Sequence, residues 1–365
     1  MQDEFYRAFE DRFRGSRDLI KQRLQVYLPF VLPLAKVYPG TRAVDLGCGR
    51  GEWLEALDDA HISAIGVDLD NEMLEACRVR GLNVKTEDAV TFLKSCDENS
   101  AIVVSGFHIA EHLSFASLYR LIEEALRVLV PGGILILETP NAENVTVGTS
   151  SFYTDPTHQR PLPMALLAFL VEHVGYSFVK VLRLQEASDL TQTTRISLSD
   201  VIYGVSPDYS VIAQKKESVY RDVLPSENLR IEYGVSLAQL TRRFDDQAAK
   251  DNALINNGLK CVDEKISRFQ TEMSNIFDDA LRCYNDIVSN NVAPLNDNER
   301  RSADEPTTLL NGDKKQQALI KFSAELALLR RDFDRVKARR WCALKICTAL
   351  LVFGFLILIL ILLQI

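Results

Sequence analysis

The sequence predicts an α/β domain on a mostly parallel seven-stranded sheet, followed by an α-helical coiled coil and a C-terminal transmembrane helix. Three observations carry that expectation. The first is Arg42 to Trp53, R-A-V-D-L-G-C-G-R-G-E-W, where a short apolar run enters a glycine turn and then a helical pattern. The second is the alternation of short apolar strands with helical stretches as far as Gln214. The third is the loss of that pattern after Val223, where heptads take over and lead into an uncharged tail.

Phe5 to Val31 reads as helices rich in Arg and aromatic residues, and Pro29, Pro33 and Pro39 punctuate the approach to the first strand, Arg42 to Leu46. Gly47, Gly49 and Gly51 follow at alternate positions. Without a Cβ, backbone approaches a ligand closely. The helix that follows, to about Ala60, presents its positive end to that ligand. The spacing departs from the dinucleotide fingerprint: the third glycine comes one residue early, and Glu52 stands in its place. Asp45, two residues before the first glycine, would repel a pyrophosphate and welcome an ammonium group.

The second strand, Ile62 to Val67, ends in Asp68-Leu69-Asp70. An acid there, about twenty residues past the first glycine, suits a ribose diol. A helix from about Glu72 to Arg80 stops at Gly81. The third strand, Leu82 to Thr86, ends in Glu87-Asp88-Ala89, where Asp88 also fits as N-cap of a helix Ala89 to Ser95. The fourth strand, Ala101 to Phe107, is a β-branched run suited to burial on both faces, and His108-Ile109-Ala110-Glu111-His112 follows it. A helix Leu118 to Leu129 stops before Pro131-Gly132-Gly133. The fifth strand, Ile134 to Glu138, opens a long polar loop that contains Phe152 to Pro161; a loop of that length is usually functional. A helix Met164 to His173 and strands Phe178 to Leu184 and Tyr209 to Gln214 close the domain, with Glu186 to Pro207 irregular between them.

A formal charge of −8 over 365 residues, with no basic block in the first two-thirds, argues against a nucleic-acid surface. Seven cysteines without paired spacing give no disulfide framework or zinc ribbon and fit a reducing compartment. The opening M-Q-D-E-F-Y-R has no apolar core, so no signal peptide is expected.

Residues 42–53 resemble motif I of the class I S-adenosylmethionine-dependent methyltransferases. The resemblance implies a Rossmann-like sheet of seven strands, the last antiparallel, with S-adenosyl-L-methionine as cofactor. It implies Asp45 beside the methionine amino group, Gly47 and Gly49 against the cofactor, Asp68 and Leu69 at the ribose, and Asp88 and Ala89 at the adenine. Phe107 would close the same pocket. Residues 1–40 would cover it, with Arg17 and Arg23 meeting the methionine carboxylate; an ordinary solvated helix face accounts for those arginines equally well.

The words R-F-R-G-S-R, G-C-G-R-G-E-W, F-H-I-A-E-H-L, E-T-P-N and D-P-T-H-Q-R-P resemble, over Phe5 to Gln214, bacterial methyltransferases of surface-polysaccharide biosynthesis, the O-antigen chain-terminating enzymes among them. That implies a methyl cap on the non-reducing terminal sugar of a lipid-linked polysaccharide, on a hydroxyl or on a phosphate. No H-R-D or D-F-G kinase words occur, so a phosphate would come from another kinase. A hydroxyl acceptor needs a general base. His158, His108 and His112 are the candidates, with Glu111 beside them, and His158 is preferred because Asp155 could orient its ring. Asp155 and Arg160 read as acceptor contacts or as an ion pair that pins the loop. H-x-x-E-H also matches the inverted zincin motif, with His108 and His112 as ligands; that needs a long helix and a further carboxylate, and no metal is expected here. Two rival readings stand beside this one: a methyltransferase for another small or lipid-linked acceptor, such as a quinone precursor, and a scaffold for a glycosyltransferase complex.

The methyltransferase domain is expected over 41–223 and a coiled coil over 224–290, where Leu259, Val262, Ile266, Phe269, Met273, Ile276, Ala280, Cys283 and Ile287 alternate steps of three and four. A single amphipathic helix on a core gives a similar stripe. A polar linker over 291–316 carries Pro294 and Pro306, and a second heptad run over 317–345 holds Leu319, Phe322, Leu326, Leu329, Phe333 and Val336. Residues 346–365 contain no charge and match the thickness of a bilayer. Lys337, Arg339, Arg340 and Lys345 crowd one flank, which sets that side inside. The expectation is a bacterial inner-membrane protein with a cytoplasmic catalytic domain, a parallel homo-oligomer (dimer or trimer), a glycosyltransferase partner, and no nucleic-acid partner.

Overall fold

A computed structural model of the chain describes residues 12, 15–187, 189–216, 230–291, 328 and 331. It divides into two compact units, Met1–Lys250 and Asp251–Ile365.

The first unit runs α1 (Arg17–Leu24), α2 (Leu28–Val37), β1 (Arg42–Leu46), α3 (Glu52–Asp59), β2 (Ala64–Asp68), α4 (Asn71–Val79), β3 (Val84–Thr86), α5 (Ala89–Ser95), β4 (Ala101–Phe107), α6 (Phe115–Val128) and β5 (Leu129–Pro140). It continues through α7 (Val145–Thr149), α8 (Met164–Val174), β6 (Phe178–Leu184), α9 (Leu198–Tyr203) and β7 (Asp208–Gln214). The seven strands lie in the order β3-β2-β1-β4-β5-β7-β6. All neighbours are parallel except β7, which runs antiparallel to both β5 and β6.

Side chains alternate across a strand, so each central strand feeds two cores. Val44, Leu46, Val104, Leu135 and Leu137 pack with α5, α6 and α8 on one face. Ala43, Val103, Ile134 and Ile136 pack with α2 and α3 on the other, against Phe30, Leu34, Trp53 and Leu57. Full burial of each large aliphatic or aromatic side chain contributes about 1.5–3 kcal/mol. That sandwich fixes the carboxyl ends of β1, β2, β4 and β5 along one edge.

Several boundaries differ from the sequence reading. Pro33 lies inside α2 instead of ending it; one lost backbone hydrogen bond is outweighed by burial of Phe30, Val31 and Leu34. β5 begins at Leu129 and passes through Pro131-Gly132-Gly133, with a register shift opposite Ala101 to Val103 and Gly132 at φ 77°. Within Glu186 to Pro207, α9 starts at a capping box of Ser197 and Asp200. The globular unit also extends past 223: Val235 and Leu240 pack with Leu190, Ile196, Val201 and Val205. Ile231, Tyr233, Val235 and Leu237 alternate, and Leu237, Leu240 and Phe244 follow at helical spacing, with Leu237 and Phe244 packed on the same cluster.

A continuous helix, α10 (Leu237–Asn291), carries the first expected heptads. Ile255, Leu259, Val262, Ile266, Phe269 and Ile276 are exposed along it. Among the described residues, no helix is long and apolar enough to cross a membrane. The span expected at 346–365 lies outside the described residues, as do 292–316 of the linker and all of 317–345 except Leu328 and Arg331.

Candidate active site

At the end of β1, Asp45 is buried and accepts a hydrogen bond from the Ser105 hydroxyl at 2.8 Å. The chain then turns through Gly47 at φ 66°, Gly49 at φ 48° and Gly51 at φ 81°. Gly51 caps α3 in the left-handed region, and a Cβ there would stand 2.8 Å from Leu82 and 2.9 Å from Cys77. Only glycine meets both demands. Asp68, at the end of β2, is held by two backbone donors: Gly49 N–H to Oδ2 at 2.8 Å and Asp70 N–H to Oδ1 at 2.9 Å. Each oxygen keeps a lone pair for a ligand. Asp88 caps α5 through Thr91 N–H at 2.9 Å, and it also lines the cavity, as do Leu69 and Ala89.

Arg17 and Arg23 part company. Arg17 donates to the Arg50 carbonyl at 2.6 Å and to Glu55 at 2.7 Å, tying α1 to the glycine turn. Arg23 lines the cavity. Phe107 packs edge-on against Trp53, with centroids 5.6 Å apart. The Trp53 indole N–H is buried in the cavity wall with no hydrogen-bond partner among the described residues.

The other end is built from the ends of β4, β5 and β7. His108 takes φ 55°, and its backbone N–H donates to the Glu138 carbonyl at 2.9 Å. Its Nδ1 stands 3.2 Å from Glu111 Oε1; its Nε2 stands 3.5 Å from Glu138 and 3.9 Å from Asp208. Glu111 also accepts from the Thr139 hydroxyl at 2.9 Å. Glu138 accepts from the Tyr27 hydroxyl and, at 3.0 Å, from Gln185. Burial opposes a charge on His108, but the hydrogen bonds to Glu111 and Glu138 and the Asp208 carboxylate outweigh it and hold its pKa well above the ordinary value. The side chain is 38% exposed, so these carboxylates, rather than complete burial, set its state. Burial also pushes Asp208 up to about 7; His108 pulls the other way, and Glu138 adds to the rise.

The loop after β5 brings in the remaining candidates. His158 Nδ1 lies 2.6 Å from the Phe152 carbonyl, and its Nε2 lies 3.8 Å from Asp155. The His112 ring meets it edge-on, with centroids 4.7 Å apart. Arg160 departs from its expected place: it stacks over Phe115, 4.9 Å from the ring centroid, while Asp155 accepts from the Thr157 backbone and hydroxyl. Among the described residues no ion pair joins Arg160 to Asp155.

One cavity of about 740 Å³ runs from Asp88 past the glycine turn to His158 and Asp208, a size suited to a cofactor with an acceptor beside it. The donor set fits S-adenosylmethionine. A buried carboxylate stands at the turn, a second carboxylate is fixed at the end of β2, and an orphaned indole N–H waits in the wall. The inverted-zincin arrangement does not form. Ala110–His112 is a single 3-10 turn; His108 faces Glu138 and Asp208, whereas His112 faces His158. Tyr27, Glu138, Gln185 and Asp208 had no part in the sequence-derived site. An acid opening an antiparallel strand lies at the edge where parallel strands end, and that was the readable sign of Asp208.

An open α/β sheet with a glycine turn after β1 and acids ending β2 and β3 defines a class: enzymes that bind an adenosine cofactor across the strand ends. A family described as "Methyltransferase domain" matches residues 43–133. A crystal structure of an S-adenosylmethionine-dependent methyltransferase from Archaeoglobus fulgidus is 32% identical, with a TM-score of 0.51, covering 58% of this chain and 100% of that one. A probable S-adenosylmethionine-dependent methyltransferase of Mycolicibacterium smegmatis is 29% identical over 143 residues, 39% of this chain and 54% of the relative. A ubiquinone biosynthesis O-methyltransferase of Methylococcus capsulatus is 32% identical over 107 residues, 28% and 44% of the two chains. The chain spans about half the length of these curated relatives. It belongs to the S-adenosylmethionine-dependent methyltransferases.

Proposed function

We propose that this protein methylates a hydroxyl on the terminal sugar of a lipid-linked bacterial polysaccharide such as O-antigen. One observation favours a hydroxyl over a phosphate. Glu138, Asp208 and Asp155 line the acceptor end with Glu111 just beneath, against only His108 and Arg23 in positive charge. In the ion-free site an anion would meet net repulsion there, while a polyol would donate hydrogen bonds to the carboxylates.

S-adenosylmethionine supplies an electrophilic methyl on a sulfonium whose sulfur leaves uncharged. The protein therefore aligns, excludes water and removes the acceptor proton. In this reading Asp45 meets the methionine ammonium, Arg23 the carboxylate, Asp68 the ribose and Asp88 the adenine. Asp208 takes the proton, since its pKa lies near operating pH. His108, already protonated, holds the surrounding carboxylates and does not act as base. His112, His158 and Asp155 line the side of the cavity where the sugar would lie.

The uncharged run 346–365 with its basic flank supports an inner-membrane anchor and a cytoplasmic catalytic domain, beside the glycosyltransferase that builds the chain. The exposed heptad stripe of α10 supports a parallel homo-oligomer. Cys283, free and exposed, falls on that seam. Added diamide should join parallel copies through it, and Cys283→Ser should abolish the crosslinked species on a non-reducing gel.

Labelled-methyl transfer tests the acceptor. Purified polysaccharide from a strain lacking this protein should take one label per chain end. Label entering a quinone precursor instead would support the second reading, which draws on the relative named for ubiquinone biosynthesis.

A further inference from the structure

We propose that Glu111, His112 and His158 form a binding site for a divalent transition-metal ion at the acceptor end of the cavity. One ligand atom from each residue lies within 4.8 Å of the others. The hydrogen bonds around the two rings fix their tautomers. His158 Nδ1 must carry a proton, because its partner at 2.6 Å is the Phe152 carbonyl, which only accepts. Thr157 has one hydroxyl proton, and the Asp155 carboxylate at 2.6 Å takes it. His112 Nδ1, 2.9 Å from that same hydroxyl, must then be the donor. In the neutral rings both lone pairs therefore sit on Nε2, and neither Nε2 makes a hydrogen bond among the described residues. A ring nitrogen proton given to a carbonyl or hydroxyl is how proteins orient metal-binding histidines.

Glu111 supplies the charge. It is 1% exposed, and the Thr139 hydroxyl and the His108 ring anchor its carboxylate at the base of the site. Asp155 Oδ2, 3.8 Å from His158 Nε2, stands ready as a further oxygen. The neighbouring set His108, Glu138 and Asp208 is similarly close, but there both ring nitrogens face carboxylates as donors and no lone pair is left for an ion.

Two imidazoles and one carboxylate suit zinc, cobalt, manganese or ferrous iron better than magnesium or calcium. Three protein ligands leave a position open for an acceptor oxygen. The ion's role rests on the hydroxyl-acceptor reading: it would hold and acidify that oxygen while Asp208 receives the proton, the O–CH₃ bond forms and the S–CH₃ bond breaks. Its binding does not depend on that reading.

The test uses the full chain, stripped with chelator and without acceptor. Zn²⁺ is titrated by calorimetry and Co²⁺ by visible absorption. One ion per chain is expected, with cobalt bands of a nitrogen- and oxygen-ligated site. His158→Ala and His112→Ala should each weaken binding at least about 100-fold, Thr157→Val about 10-fold or more, and His173→Ala not at all. Absence of stoichiometric binding to the wild type, or unchanged affinity in both histidine variants, would overturn the site. Where the variants fail to fold, the wild-type cobalt spectrum decides, and a spectrum identical to cobalt in buffer sinks the proposal. An ion bound tightly by a protein that methylates no polysaccharide would leave the site standing and remove the acceptor reading instead.

Discussion

The two ends of the cavity are built differently. At the donor end, Asp45, Gly47, Gly49, Asp68 and Asp88 come from three consecutive strand ends, and the contacts that set them are largely backbone to side chain, as where Gly49 and Asp70 hold Asp68. At the acceptor end, Tyr27, His108, Glu111, Glu138, Gln185 and Asp208 come from the whole length of the first unit and set one another by charge. A local turn presents each ligand contact independently. A charged network acts as a unit, so its members should couple. Donor-end substitutions should therefore act on cofactor affinity, and acceptor-end substitutions on rate.

The largest effect is expected at Asp208. Removing a general base costs about 10²–10⁴ in rate, so Asp208→Asn should lower single-turnover methylation by that factor and leave cofactor affinity unchanged. The base works when ionised, and its pKa is raised to about 7. The wild-type rate should thus be full above pH 7 and fall as pH drops through 7, while the variant loses that limb. A variant that keeps the same limb would take the role away from Asp208. Next comes Asp68→Ala. Loss of a charge-assisted contact costs about 1.5–3 kcal/mol, which weakens cofactor binding roughly ten- to a hundred-fold by calorimetry, with rate near normal at saturation. The contrast between the two ends fails if Asp68→Ala slows saturated turnover as much as Asp208→Asn does. Gly51→Ala should act on stability instead. Left-handed backbone at a residue with a Cβ costs about 1–2 kcal/mol, and the contacts with Leu82 and Cys77 add to it; a denaturant midpoint equal to wild type would refute this.

The same contrast explains what could be read from the sequence. R-A-V-D-L-G-C-G-R-G-E-W states strand, turn and helix within twelve letters, Asp68 follows a short apolar run, and Asp88 stands two residues beyond the short third strand. Their geometry is local, so their spacing predicts it. His108 shows the limit. Its place after β4 was legible, but its protonation state depends on Glu138 and Asp208, which pairing of β4 with β5 and of β5 with β7 brings alongside. No spacing rule links residues 108, 138 and 208. Likewise H-x-x-E-H suggests one cluster, whereas the 3-10 turn sends His108 and His112 to different partners. The extension of the globular unit to Lys250 shows the same limit: the apolar spacing of Val235, Leu237, Leu240 and Phe244 marks an amphipathic segment, but not that it packs against Leu190 and Val201.

The smallest effect is expected at Arg160, and it sharpens where the acceptor end stops. The D-P-T-H-Q-R-P loop offers Asp155 and Arg160 as a pair, yet the fold separates them. Asp155 binds the Thr157 hydroxyl at 2.6 Å and approaches His158 at 3.8 Å, inside the charged network. Arg160 is exposed and lies over the Phe115 ring at 4.9 Å. An exposed contact of that kind contributes about 0.5–1 kcal/mol. Arg160→Ala should therefore lower the thermal midpoint by a few degrees at most and change the acceptor KM by less than about threefold. Asp155→Ala frees Thr157 and removes the carboxylate beside His158, so it should raise acceptor KM or lower rate by about tenfold or more, as expected for a lost charge-assisted hydrogen bond. Measured side by side, the two variants locate the rim. A tenfold rise in KM for Arg160→Ala would place its guanidinium on the acceptor, and an Asp155→Ala enzyme with normal KM and rate would move the sugar away from the His158 loop.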